Sequence, residues 1–239
     1  MLNPTAAILI IGDEILSGRT RDSNMHYLSC ELTKIGIDLQ EARFIPDNAT
    51  KIVNDVRCLS SKYDYVFTSG GIGPTHDDIT ADCIAAAFET EISIREDAFK
   101  LLENYYSEQN IDFNSARQRM ARIPNGAKLI DNPISVAPGF YLNNVFVMAG
   151  VPNIFQSMVQ SILPLLLNGK PVLSKSLRIP RGEGEIAVEL KKIASEHKSV
   201  SIGSYPYNNK GNFGTNIVVR GINNEELDRV AEKLKSKLQ

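Results

Sequence analysis

The chain has 239 residues, 43% hydrophobic and 23% charged, with a formal net charge of −2, which fits a globular protein of one large domain and a smaller one. No apolar run approaches the roughly 20 residues of a membrane span, and the first eleven residues lack a basic leader, so the expected location is the cytoplasm. Cys30, Cys58 and Cys83 are odd in number and far apart; they indicate neither a disulfide framework nor a zinc site and are expected to be buried, reduced thiols.

In chain order, Ala6–Ile11 is a short apolar run ending at Gly12, as expected for a strand buried on both faces. Asp13 and Glu14 follow it, and Ser23 is a suitable N-cap for a helix to about Ile35, with Gly36 just past its end. Ile37–Ile45 alternates like a strand, Pro46-Asp47-Asn48 breaks it, and Thr50–Ser61 is helical. Tyr65–Ser69 is a third strand, feeding a loop with Gly70, Gly71 and Gly73 before helical spacing resumes over Thr80–Phe88. Helices are predicted over Arg95–Asn110 and Asn114–Arg122, with a turn at Pro124-Asn125-Gly126. Short strands follow at Lys128–Ile130, Gly139–Leu142 and Val145–Met148, the last two joined by Asn143-Asn144. Ala149–Pro152 forms a rigid turn, Ile154–Leu167 a helix, and Asn168–Pro171 a linker.

The linker coincides with a change of charge. Residues 1–169 carry 13 basic and 20 acidic side chains, and residues 170–239 carry 13 and 8, so two domains are expected, 1–169 and 170–239. Beyond the linker the pattern reads strand (Val172–Ile179), helix (Glu185–Ser195), strands (Ser199–Pro206, Thr215–Arg220) and helix (Glu225–Leu238), with Asn208–Asn212 a mobile polar connection. In the first domain, strands alternating with helices argue a three-layer α/β/α fold on a mostly parallel sheet. Ligands of such folds lie beyond the carboxyl ends of the strands. Gly12-Asp13-Glu14, Asp47 and Ser69–Asp78 all occupy such ends.

The loop after Ser69 poses a physical conflict. Bare glycine amides and the following helix N-terminus favour a phosphate, while Asp77 and Asp78 repel one unless a cation lies between. Thr75 and the amides of Gly71 and Gly73 could hold that phosphate. The plainer readings are that Asp77 or Asp78 caps the helix near Thr80, that Gly12 only permits a turn, and that Asp13 only binds loop amides. His76 reads best as a solvated loop residue, and Ser69 has no histidine base to make it a nucleophile.

Gly12-Asp13-Glu14-Ile15-Leu16-Ser17-Gly18 with Asn24, Asp47-Asn48, and Ser69-Gly70-Gly71-Ile72-Gly73-Pro74-Thr75-His76-Asp77-Asp78-Ile79-Thr80 together resemble the molybdenum-cofactor-biosynthesis (molybdopterin-binding) superfamily. Within it they resemble the N-terminal part of the CinA, or competence/damage-inducible, family. The likeness continues through Asn132-Pro133, Ala137-Pro138-Gly139-Phe140 and Gly150-Val151-Pro152, and the C-terminal region resembles the small KH-like domain of that family. Ala149 departs from the usual proline there, which bears on contacts to the ring end of a ligand. The resemblance implies a pocket for molybdopterin or an adenine nucleotide and metal-dependent hydrolysis of ADP-ribose or a related dinucleotide. Asp47 and Asp78 would be catalytic, with Asp13 helping to hold a divalent cation (Mg, Mn or Co); a monovalent cation is a further candidate. Adenylylation of molybdopterin, or a non-catalytic pterin- or nucleotide-binding module, are the alternatives. The family's amidase activity is not carried over. A homo-oligomer, dimer or trimer, is expected. Nucleic-acid binding is not, because Gly182-Glu183-Gly184 is acidic and enters a single helix.

Overall fold

The computed structural model describes residues 3–209 and 211–239. They fall into two compact units, the first ending at Gly169 and the second beginning at Lys170. In the first, β1 (Thr5–Ile11) leads through a short helix α1 (Asp13–Leu16) to α2 (Asn24–Lys34). Then come β2 (Asp38–Ile45), α3 (Ala49–Lys62), β3 (Tyr65–Ser69) and α4 (Thr80–Ala87). A side segment holds β4 (Ile92–Ile94), α5 (Glu96–Glu108), α6 (Ser115–Gln118), a 3-10 turn (Arg119–Ala121) and β5 (Arg122–Pro124). The unit closes with β6 (Lys128–Ile130), β7 (Gly139–Leu142), β8 (Val145–Met148) and α7 (Pro152–Ile162).

Six of these strands form one sheet in the order β2-β1-β3-β8-β7-β6. β2, β1, β3 and β8 run parallel, and β7 runs antiparallel to both its neighbours. The period of two along β1 divides its side chains between two cores. Ala7, Leu9 and Ile11 join Ile52, Val56, Leu59, Ile84 and Leu102 beneath α3, α4 and α5. Ala6, Ile8 and Ile10 join Leu28, Leu32, Phe155, Met158 and Ile162 beneath α2 and α7. Because β1 is buried on both faces, it reads in the sequence as continuous rather than alternating apolar residues. The result is the expected α/β/α arrangement on a mostly parallel sheet.

In the second unit β9 (Leu173–Ile179), α8 (Glu183–Glu196), β10 (Ser201–Asn209), β11 (Asn212–Gly221) and α9 (Asn224–Leu238) form an antiparallel sheet, β10-β11-β9, with its own core. Ile179, Ile186, Ile193, Ile217, Val219, Val230 and Leu234 fill that core.

Several boundaries differ from expectation for local reasons. The helix predicted over 114–122 stops early, because Arg122–Pro124 pairs antiparallel with Ile92–Ile94, a strand the sequence pattern did not reveal. α7 begins at Pro152, where a missing N–H costs nothing, and ends before the turn that contains Pro164. Ser23 makes no side-chain cap to α2; Asp22 accepts from the amides of Asn24 and Met25 instead, at 3.2 Å each. Asn208, Asn209 and Asn212 are not a loose connection, since Asn208 pairs with Phe213 and Asn209 with Asn212 in the hairpin. Only Cys83 is buried, and burial raises its thiol pKa to about 11; Cys30 and Cys58 are exposed.

The edge strand β2 is guarded by charge, as exposed sheet edges usually are. Arg43 binds Asp55 of α3 at 2.5 Å, and Glu41 accepts from Lys62 at 2.8 Å, Tyr63 at 2.7 Å and Arg43 at 2.7 Å. Lys62 first, then Tyr63 and Arg43, lower the Glu41 pKa from 4.5 to about 2. A folded-state pKa below the unfolded one stabilises the fold above the unfolded value, and that contribution is lost as pH falls through the folded value. Glu41→Gln is therefore expected to cost about 1 kcal/mol at pH 7, after allowing for solvent screening. Urea titrations should show the difference shrinking between pH 4.5 and pH 2.

Candidate functional site

The sheet order makes the carboxyl ends of β2, β1, β3 and β8 neighbours, and the chain reverses direction across the sheet between β1's two partners, β2 and β3. A crevice opens at such a switch point. It holds a cavity of about 600 Å³, walled by residues from all four strand ends. Gly12, Glu14 and Asp47 line one side, and Gly70, Gly71, Gly73, Pro74, Asp77 and Asp78 another. Asn132, Gly150 and Pro152 complete the wall expected from the sequence.

The glycines have distinct backbone roles. Gly70 has φ 109°, and a Cβ there would sit 2.2 Å from the Ile11 carbonyl oxygen. Gly71 has φ 71°, and its Cβ would meet Thr80 Oγ1 at 2.1 Å. Thr80, fully buried at the start of α4, locks the turn by donating from its hydroxyl to the Gly70 carbonyl (3.0 Å) and from its amide to the Gly71 carbonyl (2.9 Å).

A buried amide ties the floor together. Asn24 Nδ2 donates to Ser69 Oγ at 2.9 Å and to the Gly150 carbonyl at 2.7 Å, joining the start of α2 to the ends of β3 and β8. Asn24 and Ser69 thus lie behind the main cavity, against a smaller one of about 50 Å³. Asn132, expected to bind ligand, lines the cavity, and its side-chain amide is hydrogen-bonded within its own loop. Its oxygen accepts from the amides of Ile134 and Ser135, and its nitrogen donates to Ser135 Oγ and the Ala137 carbonyl. Pro133 is exposed and does not line the cavity.

Electrostatically the site is crowded with negative charge. Asp47 Oδ2 accepts from the Asp13 amide at 3.0 Å, so Asp13 contributes its backbone rather than its exposed carboxylate. Burial, and then the charges of Asp13, Glu14 and Asp77, raise the pKa of Asp47 against the opposing pull of that hydrogen bond. Across the cavity, Thr75 Oγ1 stands 2.5 Å from Asp77 Oδ1 and 2.6 Å from Asp78 Oδ2, and Asp78 Oδ2 also accepts from the Thr75 amide at 2.8 Å. One hydroxyl hydrogen serves one carboxylate at a time. Neither aspartate caps α4, whose N-cap position is Ile79 without a side-chain bond. His76 is fully exposed.

Asp47, Asp78 and Asp13, expected to hold a divalent cation, are not gathered into one cluster of side chains. Among the described residues no three His, Cys, Asp or Glu side chains converge to hold a metal ion. Asp78 folds back onto Thr75, and Asp13 turns its amide inward. The donors present are oxygens from carboxylates and a hydroxyl. That set fits a hard cation such as Mg²⁺, which needs only one or two carboxylates when substrate phosphate supplies further ligands.

Sequence reasoning missed Arg19, Thr20, Met120, Ser135 and Ile154, which also line the cavity. Arg19 and Thr20 lie beyond α1 rather than at a strand end, although Gly18, with φ 73°, marks the turn that brings them back. Arg19 is the single basic side chain among the described residues of the wall. Two variants test this geometry. Gly70→Ala is expected to cost about 2 kcal/mol or more, seen as a fall in Tm of roughly 4–8 °C, because its Cβ meets backbone. Asp47→Asn is expected to raise Tm by roughly 1–3 °C at pH 7 by removing like-charge repulsion, with no gain at pH 3, where the carboxyl is already protonated.

Comparison with known proteins agrees with this architecture. Residues 7–168 match the family described as probable molybdopterin binding domain, and residues 171–239 match the FAD synthase middle domain. A probable FAD synthase of Caenorhabditis elegans is 30% identical over 98% of this chain and 50% of its own length, so the chain spans about half of that relative. A Pyrococcus horikoshii protein is 32% identical over 97% of this chain and 95% of its own. Among solved structures, the protein CinA of Thermoplasma acidophilum superposes with a TM-score of 0.64 at 28% identity, covering 70% of this chain and all of that one. The family match takes in every strand end that walls the cavity, and the chain belongs to the family of probable molybdopterin binding domains.

Proposed function

We propose that the cavity binds a nucleotide carrying a pyrophosphate, with ADP-ribose the preferred substrate and FAD next, and hydrolyses it with the help of a divalent cation. The observation that carries this reading is the Asp77–Thr75–Asp78 cluster, where one hydroxyl stands between two carboxylates at the mouth of a glycine turn. A glycine turn favours a bound anion, the carboxylates oppose one, and a cation reconciles them. Asp47 and Asp78 would hold that cation, which when bound supplies Lewis-acid polarisation of a phosphoryl oxygen. The amides of Gly71 and Gly73 would orient the phosphates. The carboxylate left free would accept the proton of the attacking water. Water adds to one phosphorus, the bridging P–O bond breaks, and two monophosphates leave. The apolar side of the wall, with Ala137, Ala149 and Ile154, suits the flat ring of the base.

A second reading rests on the comparisons rather than the geometry. Relatives named probable FAD synthase and a family named for molybdopterin binding both suggest a domain that holds a pterin or flavin nucleotide without cleaving it, or an adenylyl transferase. Incubation with ADP-ribose, FAD, NADH, and ATP plus a pterin, each with Mg²⁺, Mn²⁺ or Co²⁺, separates these. Hydrolysis is expected to give AMP and ribose 5-phosphate from ADP-ribose, to vanish with chelator, and to fall at least ~100-fold in Asp47→Asn and Asp78→Asn. Tight calorimetric binding with no turnover would leave the binding-module reading standing. Pyrophosphate release from ATP would favour adenylyl transfer.

A further inference from the structure

We infer that Arg119 is a positioning residue for the glycine loop, fixing the Asp77–Asp78 pair through the main chain of Asp78; the inference rests on the hydrolytic reading above. Arg119 lies on the 3-10 turn between α6 and β5. Its Nη2 donates to the Asp78 carbonyl oxygen at 3.3 Å, across 41 positions of sequence. The turn itself is held at both ends. Asn114 caps α6 through the Arg117 amide at 3.1 Å, and the Ala121 carbonyl accepts from the Arg95 amide at 2.9 Å. Arg119 therefore reaches the loop from a fixed base.

Its environment differs from that of its neighbour. Gly71, Gly73, Asp78, Asp82, Arg119 and Arg122 surround one small cavity of about 20 Å³ behind the glycine turn. Arg122 forms an ion pair with Asp82. Among the described residues no Asp or Glu side chain forms an ion pair with Arg119, while the buried Nε atoms of Arg119 and Arg122 alike lack a hydrogen-bond partner. A guanidinium held without a counter-ion lowers the stability of the fold. What offsets the cost here is the surplus of negative charge on the loop that Arg119 grips. An arginine kept for stability alone would be expected to find a carboxylate, as Arg122 does.

The role separates from a general structural one by where its loss is felt. Hydrogen–deuterium exchange of residues 71–79 is compared in wild type, R119M, R119K and R122M, alongside kcat and KM for ADP-ribose with Mg²⁺. R119M is expected to speed exchange in that segment roughly tenfold. It should lower kcat by roughly 10- to 100-fold while KM stays within about threefold. R119K, which keeps a donor for the carbonyl, should lie between it and wild type. R122M should lower Tm without speeding exchange there. Wild-type exchange in R119M, or wild-type kcat despite faster exchange, overturns the inference. Should R119M not fold, R119Q serves the same comparison. If the wild-type protein cleaves no phosphoanhydride, the hydrolytic reading falls by itself, and exchange still decides whether Arg119 holds the loop.

Discussion

Two hydrogens on one buried amide hold the crevice at the strand ends in register. Asn24 spends them on Ser69 Oγ and the Gly150 carbonyl, and so sets the separation of the β3 and β8 loops. Those loops pass so closely that a Cβ on Gly150 would lie 3.2 Å from the Gly70 Cα. A buried donor left unpaired would cost more than the bond itself contributes, so the amide specifies this spacing rather than merely favouring it. The position of Gly150 against the glycine turn follows from the approach it enforces.

On that rigid floor the molecule places a charge distribution that is unfavourable by itself. Asp47 is desolvated and faces further carboxylates, although the Thr75 hydroxyl favours the charged form of Asp77. The fold meets this cost with the cores on both faces of the sheet, which involve none of these residues. Strained or repelling groups persist where surrounding structure over-determines them, and such groups cluster at functional sites. The separation of a stabilising scaffold from a destabilised crevice is the physical ground for reading the crevice as a site.

Much of this was legible in the sequence wherever one local rule acted alone. Tyr65–Ser69 has the same limits in both accounts, because an apolar run bounded by Asp64 and Gly70 has no competing pattern. The strand ends at Gly12, Asp47 and Gly70 were placed by the alternation of strands with helices. What failed depended on partners distant in sequence. Ile92–Ile94 is a strand only because Arg122–Pro124 lies beside it. Asn24 and Asn132 share a residue type and a motif context, yet one binds the ends of two strands and the other only its own loop. Arg119, in a segment read as plain helix, acquires meaning only when its guanidinium is seen at the Asp78 carbonyl.

The self-contained loop at Asn132 carries a consequence for how such a cavity diversifies. With all its amide valences spent between Ile134 and Ala137, the loop keeps its shape without help from a ligand. The Ala137 side chain, which faces the cavity and lends only its carbonyl to that network, is then free to vary. One end of the crevice is fixed by backbone geometry and charge, and the other is a replaceable panel. A lineage could exchange one ring system for another at that panel and never disturb the end where phosphate would lie.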